Sequence, residues 1–481
     1  MRVYQFSVSV LLAMAISGCR VGPDYVRPNV DVPGNYRGLA PSLDNSATAS
    51  ENLGNEKWAE VFKDPTLQQL IREALGNNLD IWIAAQRVLE QQDALGITRS
   101  QQFPTLGAGG SYSAVGIPSS LAKSLGSLAS TDNGGKGSLP NQYYGGGVTL
   151  SAAWNLDFWG LYRHQTEAAR AQLLATEWGR RIVVSTVVEN VATAYFELRT
   201  LDAELEIAKK TLAARQESLQ LTETLERSGS ATLADVRQAQ ELVHTTAAAI
   251  PDIERQIEQV ENGLSILIAR NPGPIVRSAA LTQWSEPKEI PAGIPSELLE
   301  RRPDIKQAEA ALIAANANIG VARARLFPQL SLSAEGGTYS SQLKALVDSK
   351  NMFWTAGGNV TQTIFDAGRL RNNVKLSEAQ QQEQVFTYQR TVQNAFRDVS
   401  DALIAIRKYR ENREEQRLAT EAAEDAVRLA RIRYSAGSTN YLEVLVNDTN
   451  YYSSQMNLAV SREQEVISMV RLYSALGGGW Q

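Results

Sequence analysis

The sequence predicts an α+β membrane protein made of two tandem repeats, each with long coiled-coil helices and short membrane-crossing strands. Three observations predict this class. One long stretch has neither Gly nor Pro and carries a narrow apolar stripe. The same stripe recurs earlier in the chain at a constant offset. In each copy, two segments of about ten residues with alternating apolar side chains precede the stripe.

The stretch without Gly or Pro runs from Arg369 to Ser435, and we expect one uninterrupted helix there. At 1.5 Å per residue, this helix would be roughly 100 Å long. Its apolar residues follow one another at steps of three and four, which is typical of a coiled-coil seam. The stripe consists of Val385, Tyr388, Val392, Phe396, Val399, Leu403 and Ile406.

The repeat is visible in the residue numbers. Subtracting 208 maps Gly437 onto Gly229 and Gly368 onto Gly160. The same subtraction maps the apolar stripe onto a second set of residues with the same spacing. The second stripe consists of Val184, Val188, Val191, Tyr195 and Leu198. It predicts an earlier long helix over Leu161–Arg227.

A second offset, 224, relates the segments upstream, for example Gly320 to Gly96. Shorter helices are predicted in both copies, and two of them stacked end to end match the length of one long helix. They run from Pro65 to Phe103, from Leu233 to Arg270 and from Ser296 to Leu326. Asp64 followed by Pro65 is a typical helix start.

The predicted strands form two pairs: Thr105–Ala114 with Gly145–Trp154, and Gln329–Thr338 with Gly357–Asp366. Tilted strands of about nine to eleven residues can cross a membrane. Four strands cannot close a barrel, and an open sheet edge in lipid leaves backbone groups without hydrogen bonds. Several chains must therefore contribute to one barrel. A soluble sheet remains the alternative.

The amino terminus predicts export. Residues 1–18 carry Arg2 and an apolar core from Val8 to Ile16, which is typical of a signal peptide. The sequence Ile16-Ser17-Gly18-Cys19 resembles a bacterial lipobox and predicts a covalent lipid on Cys19. The alternative is an incidental cysteine.

Bulk composition narrows the function classes. The net charge is −5 without a long basic run, so we expect no nucleic-acid partner. One Cys and two His form no motif with metal-ligand spacing, and no nucleophile and base recur at a recognisable spacing. We therefore expect neither a metal site nor enzymatic activity.

Several separated motifs carry a family resemblance. The central ones are Leu298-Leu299-Glu300-Arg301-Arg302-Pro303-Asp304-Ile305, Ile319-Gly320-Val321-Ala322-Arg323-Ala324 and Leu326-Phe327-Pro328; the flanking ones are Val21-Gly22-Pro23-Asp24-Tyr25, Phe365-Asp366-Ala367-Gly368-Arg369 and Ala475-Leu476-Gly477-Gly478-Gly479-Trp480. Together they resemble the outer-membrane efflux lipoproteins, the TolC-like outer-membrane factors of the OprM and NodT branch.

The resemblance implies a homotrimer whose chains give four strands each to a β-barrel in the outer membrane, above a helical tunnel across the periplasm. It implies a passive conduit in a tripartite efflux system of the resistance-nodulation-division type. Its partners would be a periplasmic adaptor, an inner-membrane pump and outer-membrane lipid, with no cofactor besides the lipid on Cys19. The cargo stays open. A type I protein-secretion channel and a structural envelope lipoprotein are the alternatives.

The resemblance also implies how the chain is divided into segments. The chain would consist of a signal peptide (1–18), an extended strap and equatorial region (19–63), a first repeat (64–270), an equatorial linker (271–295), a second repeat (296–476) and a tail (477–481).

Two helix turns would lie at the periplasmic tips and contact the adaptor through Gly229, Thr232, Gly437 and Thr439. The glycines would supply a left-handed backbone, and the threonines would cap the next helices.

The tunnel gate would lie just beyond the second turn, with Leu442, Glu443, Asp448 and Asp235 as candidates. Under threefold symmetry each carboxylate becomes a ring of like charges. The alternative is an ordinary solvated charge. Val446 and Thr449 stand where relatives often carry a charged latch, so we expect Asp448, or Glu443 with Asp235, to replace that latch.

Overall fold

The computed structural model of the chain describes residues 20–37, 53–122, 142–277 and 295–480. The predicted signal peptide, the lipidation site Cys19 and residues 278–294 of the predicted linker lie outside the described residues.

The described helices and strands follow one another in a repeated order. The helices are α1 (Trp58–Val61), α2 (Pro65–Asn77), α3 (Leu79–Ser100), α4 (Leu161–Arg227), α5 (Leu233–Leu267), α6 (Pro295–Arg301), α7 (Pro303–Ala324), α8 (Arg369–Ser435) and α9 (Tyr441–Ala475). The strands are β1 (Thr105–Gly116), β2 (Gln142–Leu156), β3 (Gln329–Ser340) and β4 (Met352–Thr361). Two helices, two strands and two helices occur in this order twice, which confirms the tandem repeat.

The chain forms two compact units. The first comprises Met1–Val26, Gln91–Leu173 and Ala311–Gln384, and the second comprises Arg27–Glu90, Leu174–Ala310 and Val385–Gln481. The strands belong to the first unit, and most of the helical length belongs to the second.

The two long helices have the predicted boundaries, and each is 67 residues long. The seam residues of α8 from Tyr388 to Ile406 are buried or half-buried, as are those of α4. The apolar stripe is therefore the side of each long helix that packs against the rest of the protein, as the coiled-coil pattern predicts. Within the described part of the chain, no helix combines the length and hydropathy needed to cross a membrane.

The four strands form one antiparallel sheet in the order β1-β2-β3-β4. The middle ladder joins the two repeats and runs from Gly146 opposite Ser340 to Leu156 opposite Leu330. The outer strands β1 and β4 are exposed along their whole length, including their large apolar side chains. Examples are Leu106 on β1 and Trp354 and Val360 on β4, which are 83%, 80% and 65% exposed.

The predicted position of the fourth strand was wrong by five residues. The ladder with β3 ends where Gln329 faces Thr361, so the residues that follow have no strand partner. Asp366 instead accepts hydrogen bonds from the backbone N–H groups of Gly368 (3.0 Å) and Leu370 (2.9 Å) at the start of α8. The predicted end of the strand is thus a helix cap.

Three predicted helices are shorter than expected. The helix from Pro65 is broken at Asn78, and the helix from Ser296 is broken at Arg302 because Pro303 disfavours a helical conformation in the residue before it. The helix α5 ends at Leu267, and Ala269 just beyond it has a left-handed φ of 57°.

Asn78 is buried and bridges three segments. Its side-chain oxygen accepts hydrogen bonds from the N–H groups of Asp80 (2.9 Å) and Ile81 (3.1 Å), which caps α3. Its amide donates to the carbonyl oxygen of Leu267 (2.9 Å) at the end of α5. Asn78 therefore ends α2 through its backbone N–H, while its side chain caps the next helix and holds a third.

The start of α2 is as predicted. The carboxylate of Asp64 caps the helix by accepting from the N–H of Thr66 (2.8 Å), and it also accepts from the hydroxyl of Tyr195 in α4 (2.8 Å). Leu67 and Ile71 on the same helix are fully buried. The first helix of the repeat is thereby fixed to the long one.

We expect Asn78→Ala to lower the stability of the folded chain by about 1–2 kcal/mol, because a buried cap is lost and the Leu267 carbonyl loses its donor. The midpoint of thermal unfolding of the purified protein measures this effect. Asn77→Ala changes the exposed neighbouring residue and should leave the midpoint unchanged. Equal midpoints for both variants would contradict the bridging role.

Candidate gate at the helix turns

Each long helix ends in a turn closed by a glycine. Gly229 follows α4 with φ of 80°, and Gly437 follows α8 with φ of 69°. The N–H after each glycine reaches back five residues, from Ser230 to the Leu225 carbonyl (2.8 Å) and from Ser438 to the Arg433 carbonyl (2.9 Å). A Cβ on either glycine would meet no atom within 4 Å, so the left-handed backbone alone favours glycine here.

The first turn has the predicted cap. The hydroxyl of Thr232 accepts from the N–H of Asp235 (3.2 Å), and the Asp235 carboxylate accepts from the N–H of Thr232 (2.8 Å). This reciprocal pair is a capping box at the start of α5. Asp235 therefore has a local structural role in the turn.

The second turn differs from the prediction. The cap of α9 is Asn440, whose side-chain oxygen accepts from the N–H of Glu443 (3.3 Å). Thr439, the predicted cap, instead donates its hydroxyl hydrogen to the Glu443 carboxylate. Glu443 also pairs with Arg433 at 2.6 Å. At the offset of 208, Asn440 rather than Thr439 is the counterpart of Thr232, and Asn is at least as good a cap as Thr.

Asp448 is the most extensively bonded of the gate candidates. It lies on α9 and is only 6% exposed. One carboxylate oxygen accepts from Nε of Arg215 on α4 (2.7 Å), and the other accepts from Nη2 of Arg431 on α8 (2.7 Å). The Asp448 carboxylate is therefore buried and paired within one chain rather than free at the helix surface.

The partner Arg215 extends the cluster to a fourth helix. Its guanidinium donates to the hydroxyl of Thr246 (2.5 Å) and to the Leu242 carbonyl (3.4 Å), both on α5, and lies 5.2 Å from the centre of the Tyr452 ring. It is 5% exposed. One buried charge cluster thus joins α4, α5, α8 and α9, and we call it the Asp448 cluster.

The sequence did carry a signal for Arg215. Buried residues of α4 recur every seven positions, at Leu201, Ala208, Arg215 and Thr222. A charged residue at such a seam position needs a buried partner of opposite sign. That partner lies 233 residues away, so the seam could show the need but not the identity of the partner.

The exposed face of α9 next to the second turn is apolar. Leu442 and Val446 lie one helical turn apart and are 52% and 46% exposed. Thr449 continues the face and donates its hydroxyl to the Leu445 carbonyl (2.9 Å). Among the gate candidates, Leu442 is therefore the one with an exposed apolar side chain.

A second group of charges lies farther along α9. Glu465 is fully buried and pairs with Arg410 (3.1 Å) and Arg413 (2.7 Å) of α8.

Burial raises the pKa of Glu463 to about 7, and the nearby carboxylates of Glu197 and Glu204 add to the rise. Across the described residues, no group of three or more His, Cys, Asp or Glu could hold a metal ion.

The raised pKa of Glu463 predicts a pH-dependent stability. Between pH 4.5 and 7 the folded state keeps this proton and the unfolded state releases it, so stability should fall as pH rises through this window and then level off. Glu463→Gln should flatten that part of the unfolding midpoint curve. Glu411→Gln, at an exposed position of α8, is the control that should keep it. A slope that persists in Glu463→Gln would contradict the assignment.

The family model for outer membrane efflux proteins matches residues 70–270 and 294–478. The chain belongs to the outer membrane efflux protein family. The match covers both repeats and leaves out most of the linker.

Relatives and solved structures agree with the family. The cation efflux system protein CusC of Escherichia coli O6:H1 is 33% identical over 98% of both chains, and the solvent efflux pump outer membrane protein SrpC of Pseudomonas putida is 35% identical over 98% of both. The crystal structure of the open state of the MtrE outer membrane channel of Neisseria gonorrhoeae matches with a TM-score of 0.83 and 29% identity, covering 96% of this chain and 99% of that one.

Family membership decides whether the strands belong to a membrane protein or a soluble one, and it decides what kind of function the chain has. This efflux protein is an outer-membrane channel, and its exposed sheet belongs to a membrane protein rather than to a soluble one. The resemblance drawn from the separated sequence motifs is confirmed. Members of the family are channels rather than enzymes.

Proposed function

We propose that three copies of this chain form the passive outer-membrane conduit of a tripartite efflux system. The observation that carries the proposal is the four-stranded sheet, which is exposed on both outer strands and ends in two open edges. Backbone groups at such edges need hydrogen-bond partners in lipid, and neighbouring copies can supply them. Twelve strands from three chains would then close the barrel.

The other partners follow from the two helix turns. Exposed turns closed by Gly229 and Gly437 are suitable docking points for a periplasmic adaptor, which would connect the channel to an inner-membrane pump. The cargo is not fixed by overall similarity. CusC is named for cation efflux and SrpC for solvent efflux, yet their identities to this chain are nearly equal.

The Asp448 cluster changes which residues we propose for closing the pore. Carboxylates at Asp235, Glu443 and Asp448 are all engaged by groups of their own chain. In a trimer, the exposed Leu442 and Val446 would form apolar rings at the start of α9. An apolar constriction can close a pore by excluding water.

The Asp448 cluster would then act as the latch that keeps this constriction in place. It fixes α9 to three other helices through a buried carboxylate. The guanidinium groups of Arg215 and Arg431 share this carboxylate, so loss of its charge leaves the buried Arg215 without an ion-pair partner. A change at the turns that separates these helices would break the cluster and widen the constriction.

Single-channel conductance of the purified protein in planar bilayers tests this function. We expect low resting conductance, and we expect Asp448→Asn to raise the open fraction by at least about tenfold, because removing one partner of a buried ion pair costs several kcal/mol. Asp425→Asn, which removes an exposed pair with Arg428, is the matched control.

The outcomes separate the parts of the proposal. No conductance from any variant, with the protein inserted in the membrane, would contradict the conduit. Conductance that rises equally in Asp425→Asn and Asp448→Asn would contradict the latch. Glu443→Gln should leave the open fraction unchanged, since its carboxylate serves the turn rather than the four-helix cluster.

We also propose that Cys19 carries a covalent lipid that anchors the mature amino terminus in the outer membrane. Mass spectrometry of the amino-terminal peptide should find the lipid mass on Cys19 after loss of residues 1–18. In Cys19→Ser that mass should disappear. An unmodified cysteine in the mature wild-type protein would refute the anchor.

A further inference from the structure

His164, one of two histidines in the chain, has an unusual environment. It lies in the first turn of α4 and is 1% exposed. Its imidazole is enclosed by two glycines from distant parts of the sequence, Gly22 near the amino terminus and Gly320 on α7. All three residues belong to the first compact unit.

The three residues fit together without spare space. A Cβ on Gly320 would lie 2.6 Å from three atoms of the His164 ring. A Cβ on Gly22 would lie 2.9 Å from Nε2 of His164 and 2.9 Å from the Cα of Gly320. Real Cβ atoms essentially never approach other atoms so closely. The ring can therefore occupy this place only while both positions are glycine.

Polar contacts extend the fit along the amino-terminal segment. Nδ1 of His164 lies 3.2 Å from the Glu167 carboxylate, which also pairs with Arg20. The N–H of Val21 donates to the Trp159 carbonyl (3.3 Å).

The segment is also held from the side of α7. The amide of Asn316 donates to the Pro23 carbonyl (3.0 Å). Consecutive residues from Arg20 to Pro23 are thus each fixed by a pair, a hydrogen bond or close packing.

This place lies where strands meet helices. Trp159, just after β2, stacks on Phe327 at a ring-centre distance of 4.7 Å. Its indole N–H donates to the carbonyl of Pro328 (2.8 Å), directly before β3. The amino-terminal segment is therefore bound beside the end of β2 and the start of β3.

The second repeat offers an internal comparison. Adding 208 to His164 gives Asn372, and subtracting 224 from Gly320 gives Gly96. A Cβ on Gly96 would meet no atom within 4 Å. The chain has one amino-terminal segment, and only one of the two equivalent places has the enclosed histidine.

We propose that His164 and Gly320 form a dedicated binding site for residues 20–23 of the same chain, and that this site fixes where the amino terminus leaves the protein. It rests on the proposed function in one respect: with a lipid on Cys19, the site would hold the anchor beside the strands. The site binds the segment through its own packing, whether or not the lipid is attached.

Trypsin provides a direct assay, because Arg20-Val21 is a cleavable bond whose N–H is held by Trp159, whereas Arg27 is followed by Pro28. We expect the folded full-length protein to resist cleavage at Arg20. Gly320→Ala should speed the cleavage by at least about tenfold, since overpacking a closed site is strongly unfavourable. Gly96→Ala, at the open equivalent position, should leave the rate unchanged.

A double variant isolates the ring contact. With His164→Ala the clash is absent, so adding Gly320→Ala should cause little further acceleration. The same tenfold effect in both backgrounds, or wild-type protection in Gly320→Ala, would overturn the proposal. Gly320→Ala that has lost its fold would lose its thermal transition, and the His164→Ala single variant, expected to be cleaved faster than His244→Ala, then decides the matter.

The assay also separates the site from the lipid. Cys19→Ser, exported with a signal peptide that needs no lipidation, should retain resistance at Arg20. Rapid cleavage of this folded variant would mean that the lipid, rather than the His164 site, holds the segment. Lack of lipid on the wild-type protein would refute the anchor alone and would leave the protease result standing.

Discussion

The ladder between β2 and β3 is the constraint on which the rest of the first compact unit depends. It is the only pairing in the described sheet that joins the two repeats. A strand cannot slip by one residue without turning every side chain to the other face. With Leu156 fixed opposite Leu330, the ends of both strands lie together, and Trp159 can reach Phe327 and Pro328. The packing around His164 is built on that junction.

A different kind of contact organises the second compact unit. The buried pair of Asp448 and Arg215 joins helices from both repeats, although buried ion pairs contribute little net stability compared with apolar contacts. What such a pair does provide is a definite arrangement, because any shift of one helix leaves a charge without its partner in a dry site. In the proposed gate, this definite arrangement would be the resting one.

Elements whose limits are set by their own sequence were predicted well, and elements whose limits are set by other segments were predicted less well. The long helices were predicted to the residue: α8 has neither Gly nor Pro over its 67 residues, and α4, which contains Gly179, repeats the same apolar stripe at the offset of 208. The strand β4 was misplaced because its limits are set by pairing with β3 rather than by its own composition. The break at Asn78 was missed because one capping residue interrupts an otherwise helical pattern.

The candidate site was predicted less well than the fold. Sequence reasoning located both turns and their glycines, which are local features. It named Asp448 but not its buried partner, since Arg215 lies 233 residues away on another helix. It also did not use His164, whose meaning appears only when Gly22 and Gly320 are seen around the ring. Contacts between distant segments are what the single sequence left out.

The two helix turns have different chemistry, and this matters for the number of partners. The first is closed by Thr232 and Asp235, and the second by Asn440 with Glu443 and Arg433. In a trimer the two kinds would alternate around the periplasmic end. A protein that recognises one kind would find three equal places, and a protein that accepts both would find six. Under the proposed function, the difference between the two turns would set how many copies of such a partner one trimer binds.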